Sequence, residues 1–159
     1  MISVAILTIS DSRYSGSNED VSGNTVSENI KISGFKEVSR TIVPDSEEEI
    51  QSRLIQLSDD ETIDVILTTG GTGLGPRDCT PEATKKVLDL EVPGISEAMR
   101  LETRKNADTS ILSRGVAGLR GGCLIINLPG SPKAVSECLN SVISVISHAV
   151  EMSSGRTGH

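Results

Sequence analysis

Apolar residues change their spacing several times along this chain, and each change marks an element. Ile2 to Ser10 (ISVAILTIS) is rich in β-branched and apolar residues, the pattern of a strand covered on both faces. A polar loop rich in Gly, Ser and Asn follows, from Asp11 to about Gly23. From about Asn24 to Ser33 the spacing predicts a helix, with Val26 and Ile30 one turn apart and Gly34 as its stop. Glu37 to Val43 fits a second strand, ended by Pro44-Asp45-Ser46. Ser46 suits the N-cap of a helix carrying Ile50, Leu54 and Leu57 at i, i+4 and i+7.

Asp64 to Thr69 (DVILTT) reads as a third, buried strand. Beyond a glycine-rich loop, Thr80-Pro81-Glu82 reads as a helix start, with Thr80 as N-cap, Pro81 at N1 and Glu82 complementing the dipole. Ala83, Val87 and Leu90 are expected to line one face. Pro93-Gly94 breaks that helix, and another is expected over Ser96 to Lys105. Val116 to Leu119 reads as a short strand or extended segment, and Cys123 to Leu128 (CLIINL) as a buried strand. The last helix has the clearest pattern: Val135, Cys138, Leu139, Val142, Ile146, Ala149 and Val150 keep helical spacing over four turns.

Strands that alternate with helices imply an α/β fold, a three-layer α/β/α sandwich around a mostly parallel central sheet. Residues 1–152 read as one domain, with 153–159 a frayed polar tail. Chains near this length bury roughly 68–70% of their unfolded surface, so a core forms without disulfides or metals.

Composition narrows the function. One Phe, one Tyr and no Trp leave an aliphatic core and no platform for stacking bases. A net charge of −7 further argues against a nucleic-acid backbone binder. An anionic small molecule needs local donors to overcome that field. Cys79, Cys123 and Cys138 contain no CxxC pair and read as reduced thiols, Cys79 having a second reading as a redox-sensitive group. His148 and His159 are too isolated for a metal site. No basic leader and no apolar run of membrane-spanning length is present, so the expected setting is cytoplasmic.

Ligands of open α/β sheets bind beyond the carboxyl ends of the strands. Four polar segments follow predicted strands: Ser10-Asp11-Ser12, Pro44-Asp45-Ser46, Thr69 through Asp78, and Asn127 through Ser131. In a parallel sheet they converge on one rim. Gly70, Gly71, Thr72, Gly73 and Gly75 match neither a phosphate-binding P-loop, because Pro76-Arg77 stands where Lys-Ser/Thr would fall, nor a GxGxxG fingerprint. Their place between a strand and a helix start favours an anion-binding nest of backbone amides over a plain turn.

Asp11, Asp45 and Asp78 each lie beyond a strand. Asp45 and Asp78 have two readings, as caps of turns or helices and as ligand-handling acids. Carboxylates beside an anion nest make sense where Mg²⁺ enters with phosphates, which favours a metal–nucleotide over a bare anion. Arg77 either neutralises charge there or is solvated. In Asn127-Leu128-Pro129-Gly130-Ser131-Pro132, Ser131 caps the last helix or contributes to the binding rim, and both readings are compatible.

The strings LTTGGTGLGPRDCTPEAT, IVPD and INLPGSP together resemble the MogA/MoaB family of molybdenum-cofactor biosynthesis, which includes the gephyrin G domain. The likeness runs from Leu7–Asp11 through the last helix. It implies adenylyl transfer from Mg-ATP to the phosphate of molybdopterin with release of pyrophosphate, or molybdopterin binding without transfer. It assigns Asp45 and Asp78 as catalytic residues that align the nucleotide with its Mg²⁺. Asp11, Gly70, Gly71, Thr72, Gly73, Gly130 and Ser131 become substrate contacts. The resemblance alone adds Ser113, from the LSR motif at Leu112–Arg114. It also implies a homotrimer or hexamer and handover to the molybdate-insertion enzyme of the pathway. Two departures are Gly75, where relatives carry alanine or larger side chains, and Cys79, where valine is common.

Overall fold

A computed structural model describes residues 1–154. Its chain order is β1 (Ser3–Ile9), α1 (Asp11–Tyr14), α2 (Val21–Ile32), β2 (Lys36–Val43), α3 (Glu47–Ser58), β3 (Val65–Thr69) and α4 (Thr80–Val87). Then come β4 (Leu90–Glu91), α5 (Pro93–Thr103), a 3-10 turn (Asp108–Leu112), β5 (Ala117–Arg120), β6 (Cys123–Leu128) and α6 (Pro132–Ser153). One sheet holds all six strands in the order β2-β1-β3-β6-β5-β4.

The first four strands of that order are mutually parallel. β5 runs against both β6 and β4. Gly121-Gly122 joins Arg120 to Cys123 in a two-residue turn, too short for a parallel crossover, so β5 and β6 must form a hairpin. The sheet is thus mostly parallel, as expected, with an antiparallel edge at β5 and β4, and it lies between layers of helices.

Two-residue alternation on the central strands divides the core. Val4, Ile6, Val65, Leu67, Leu124 and Ile126 face α2, α5 and α6. Ala5, Leu7, Ile9, Ile66 and Ile125 face α3 and α4. All of these side chains are buried, which is why β1, β3 and β6 read as continuous apolar runs. The apolar positions expected on α6 that are buried are Val135, Cys138, Leu139, Val142 and Ile146.

Helix ends follow local chemistry in some places and tertiary demand in others. Ser46 caps α3 through Glu49 N, and Ser131 caps α6 through Ala134 N. Gly34 closes α2 with paired bonds, Gly34 N to Lys31 O and Phe35 N to Ile30 O. α2 starts at Val21, earlier than expected, because Asp20 accepts from Gly23 N as its cap. The expected loop also contains α1, capped by Ser10.

Thr80 is not the cap of α4. Cys79 holds that position without a side-chain bond, and the Thr80 hydroxyl donates instead to Gly70 O at 2.9 Å. Leu90 lies outside α4, in β4, and is exposed. Pro93 opens α5 in addition to ending what precedes it. At the other end of the chain, Ser153 is the last residue of α6, and 155–159 lie outside the described residues. Among the described residues no helix is long and apolar enough to cross a membrane.

Candidate functional site

Because β2, β1, β3 and β6 are parallel, the four polar segments do share one edge of the sheet. Chain order reverses direction across the sheet between β1 and β3, the place where such folds open a ligand crevice. Gly70 sits there with φ +100°, and a Cβ on it would stand 2.3 Å from Ile9 O at the end of β1. Gly71 follows with φ +68°; a Cβ there would meet Thr80 Oγ1 at 2.3 Å and Asp45 Oδ1 at 3.3 Å. Both the backbone angle and the space require glycine.

Further bonds fasten this turn to its neighbours. Gly70 N donates to Leu128 O, Thr69 Oγ1 donates to Pro129 O at 2.7 Å, and Thr80 N donates to Gly71 O. Beneath it, buried Asn127 donates through Nδ2 to Thr68 Oγ1 and Thr84 Oγ1, each at 3.0 Å, and accepts from Val116 N. Every polar atom of that amide side chain is thereby used inside the fold. Among the described residues none accepts a hydrogen bond from the amides of Gly71, Thr72 or Gly73.

On one side of the turn lies a cavity of about 540 Å³, walled by α5, the 3-10 turn and the start of α6. Gly71, Thr72, Gly73, Asp78, Ser113, Gly130 and Ser131 line it, bringing seven of the expected site residues together. Ser113 comes from the segment after the 3-10 turn, and Arg100 on α5 holds that segment by donating to Ser113 O and Gly115 O. The Ser131 hydroxyl is engaged as the α6 cap while it borders the cavity, so its two readings coexist. Arg100 and Lys133 add cationic side chains to the lining, giving an anion local partners within an acidic protein.

Asp11 and Asp45 stand apart from this cavity, at the ends of β1 and β2. Asp11 N donates to Asp45 Oδ2 and Asp45 N donates to Asp11 Oδ1, each at 3.0 Å. Arg77 reaches across from the glycine-rich loop, with Nε 2.6 Å from Asp11 Oδ2 and Nη2 3.2 Å from Asp45 O. It pairs with Asp11 while staying largely exposed, so both of its readings are met. This ion pair holds the Asp11 carboxyl below its ordinary range, helped by the Asp45 amide.

Asp45 moves the other way. Burial pushes its carboxyl up, and the negative charges of Asp11 and Asp78 add to that effect. Asp78 keeps its own loop tight, accepting from Gly75 N at 3.1 Å while its amide donates to Gly75 O. Among the described residues no three His, Cys, Asp or Glu side chains converge tightly enough to hold a metal ion on their own.

Sequence reasoning missed the arginines that organise the loops. Arg100 and Arg114 bond mainly to carbonyl oxygens distant in the chain, and no local spacing announces such contacts.

A glycine turn at the β1/β3 switch, an acid after β2 and a PRD acid before α4 form a specific arrangement. The family model described as a probable molybdopterin binding domain matches residues 5–148. The chain belongs to the MogA/MoaB family. A molybdopterin adenylyltransferase of Helicobacter pylori (strain J99) is 42% identical over 153 residues, covering 95% of this chain and 87% of that protein. The molybdenum cofactor synthesis protein cinnamon of Drosophila melanogaster is 43% identical over 152 residues, but the match spans only 25% of its length. Among solved structures, the molybdopterin biosynthesis enzyme MoaB of Thermus thermophilus superposes with a TM-score of 0.92 at 45% identity, covering 98% of both chains. Members of the MogA/MoaB family thus share this fold over its full extent.

Proposed function

We propose that this protein is a molybdopterin adenylyltransferase that moves AMP from Mg-ATP to the terminal phosphate of molybdopterin. The observation that carries this reading is the position of the glycine turn. Gly71 borders the cavity on one side, and a Cβ on it would come within 3.3 Å of Asp45 Oδ1 on the other, so the turn stands between a cavity and an acid. The pterin fits the cavity, whose volume lies in the range of small-molecule sites. The nucleotide phosphates fit the side of Asp11 and Asp45, with Asp78 on the cavity wall close enough for its charge to act on Asp45. Named relatives of similar length support the same chemistry.

In the step itself, a phosphate oxygen of the pterin attacks the α-phosphorus of ATP. A new P–O bond forms, the bond between the α-phosphorus and its bridging oxygen breaks, and pyrophosphate leaves with that electron pair. Transfers of this kind need alignment and charge stabilisation more than covalent help from the protein. The amides of Gly71, Thr72 and Gly73 supply donors already fixed in place, so negative charge on the transferring group meets them without reorganisation. Asp45 and Asp78 hold the nucleotide with its metal, and Ser113, Gly130 and Ser131 contact the pterin.

The donor set fits Mg²⁺ brought in by the nucleotide. Asp45 is a carboxylate whose negative charge burial and like charges oppose, so a cation relieves it. Mg²⁺ commonly takes one or two carboxylates, with phosphate and water completing the shell, which agrees with the absence of a three-ligand cluster among the described residues. When bound, the ion would neutralise charge on the phosphates. Asp11 is already neutralised by Arg77 and serves to hold Asp45 in place.

The wider reading is a cytoplasmic homotrimer or hexamer that hands its product to the molybdate-insertion enzyme. Free Cys79, Cys123 and Cys138 accord with a reducing setting. Exposed Leu101, Ile111 and Leu112 accord with an assembly surface beside the cavity.

The test is direct. Purified protein is incubated with molybdopterin and Mg-ATP, and adenylated pterin and pyrophosphate are quantified. Pterin retained without either product would replace the transferase reading with that of a pterin-binding protein.

A further inference from the structure

Arg114 follows Ser113 yet does not line the cavity. Its side chain turns to the glycine-rich loop instead. Nε donates to Gly73 O at 2.9 Å, Nη2 donates to Asp78 O at 3.0 Å, and Nη1 pairs with the Glu82 carboxylate. Its own amide donates to Thr72 O at 2.9 Å. One residue thus reaches the turn bearing the free amides, the acid after it, and the first turn of α4.

Apart from Arg114, that loop is tied to the rest of the fold by Arg77, which pairs with Asp11 and donates to Asp45 O. Between Gly73 and Asp78 the local bonds are those of Gly75 with Asp78. Leu74, on the same stretch, is exposed. We propose that Arg114 is the positioning residue of the site, fixing the Asp78 carboxylate relative to the amides of Gly71, Thr72 and Gly73. A guanidinium is required because its planar fork presents donors in diverging directions to two carbonyls and a carboxylate at once. A lysine ammonium is one point and cannot reach all three. Because Arg114 and Ser113 are adjacent, the same residue also joins the cavity wall to the loop that carries Asp78.

The kinetic part of this proposal rests on the adenylyltransferase reading; the structural part does not. The experiment compares wild type with Arg114→Ala and Arg114→Lys, each with and without added n-propylguanidinium. Three quantities are read: Gly75 amide exchange by NMR, the thermal midpoint, and kcat for adenylyl transfer. In Arg114→Ala, Gly75 exchange is expected to accelerate at least ~10-fold and kcat to fall about 10²-fold, the scale of a 1 Å misplacement. The midpoint is expected to move by no more than a few degrees. The lysine variant should behave like alanine, and n-propylguanidinium should restore both exchange and turnover in Arg114→Ala. Unchanged Gly75 exchange, a fully active lysine variant, or a loss of turnover explained by the midpoint alone would each overturn the assignment. A wild type without adenylyl transfer would sink the functional reading, and Gly75 exchange would then decide the role of Arg114 by itself.

Discussion

The main-chain amides of Asp11 and Asp45 each donate to the other residue's carboxylate, both at 3.0 Å. This reciprocal pair ties the end of β1 to the end of β2. It also holds two acids close together, and their electrostatics diverge as a result. Arg77 compensates Asp11, whereas Asp45 is left with burial and neighbouring negative charge.

Replacing Asp45 by Asn should separate stability from activity. The folded protein disfavours ionised Asp45, so its stability contribution is full below the ordinary value of 3.8 and is lost as pH rises through the raised folded value. Asn removes that loss. In urea melts at pH 7 the variant should be at least as stable as wild type, and the difference should vanish as pH falls toward 3.8. Adenylyl transfer should fall by about 10²-fold or more, as for loss of an electrostatic group at a reacting centre. A variant that melts earlier than wild type at pH 7 contradicts this account of Asp45.

The glycine turn allows a sharper stability test. Gly71→Ala forces a side chain into left-handed backbone, costing about 1–2 kcal/mol, and sets its Cβ 2.3 Å from Thr80 Oγ1. The total loss should therefore exceed about 2 kcal/mol by denaturant titration. Gly122→Ala is the control, since a Cβ there meets nothing within 4 Å, and it should stay within about 0.5 kcal/mol of wild type.

Thr80→Val keeps the shape of the side chain and removes its hydroxyl. Gly70 O then loses the buried donor that holds it at 2.9 Å. A cost of about 1–3 kcal/mol follows from leaving such an acceptor unpaired. A variant that is neutral in the same titration would contradict this role for the Thr80 hydroxyl.

Thiol chemistry should separate the three cysteines. Burial pushes Cys123 up to about 12 and Cys138 up to about 11, so both should resist a disulfide reagent at pH 8 in the native protein. Cys79 is only half-buried, but its thiol is also raised, by burial and the acids around it, so it should react more slowly than a free thiol. All three should react at once in denaturant. Cys79→Ser should retain transferase activity, and a large loss of kcat would revive a functional role for the thiol.

Much of the site could be read from the chain because its determinants are local. Asp78 follows the apolar run of β3, Asp45 stands in the Pro-Asp-Ser break after β2, and Ser46 and Ser131 stand in ordinary capping positions. Parallel strands then bring those loop starts to one edge without further information. Other features depend on distance. Thr80 has the sequence of a cap, yet the buried carbonyl of Gly70, just past β3, claims its hydroxyl. Arg77 looked equally suited to solvent or to charge neutralisation, and only the approach of α1 to the glycine loop shows that it meets both. The hairpin of β5 and β6 went unread, because the run of parallel strands before it concealed the change of direction at Gly121-Gly122. Arg114 carries no local signal, because its partners lie 32 to 41 residues away.

The turn at Gly70-Gly71 carries no side chain and lies between the cavity and the Asp45 carboxylate. A compound joining an adenosine portion to a pterin through a shared phosphate could cross this turn without meeting a side chain. On the adenylyltransferase reading, such a bisubstrate molecule would draw its selectivity from spanning the turn, because an enzyme holding both ligands in one open groove offers no matching threshold.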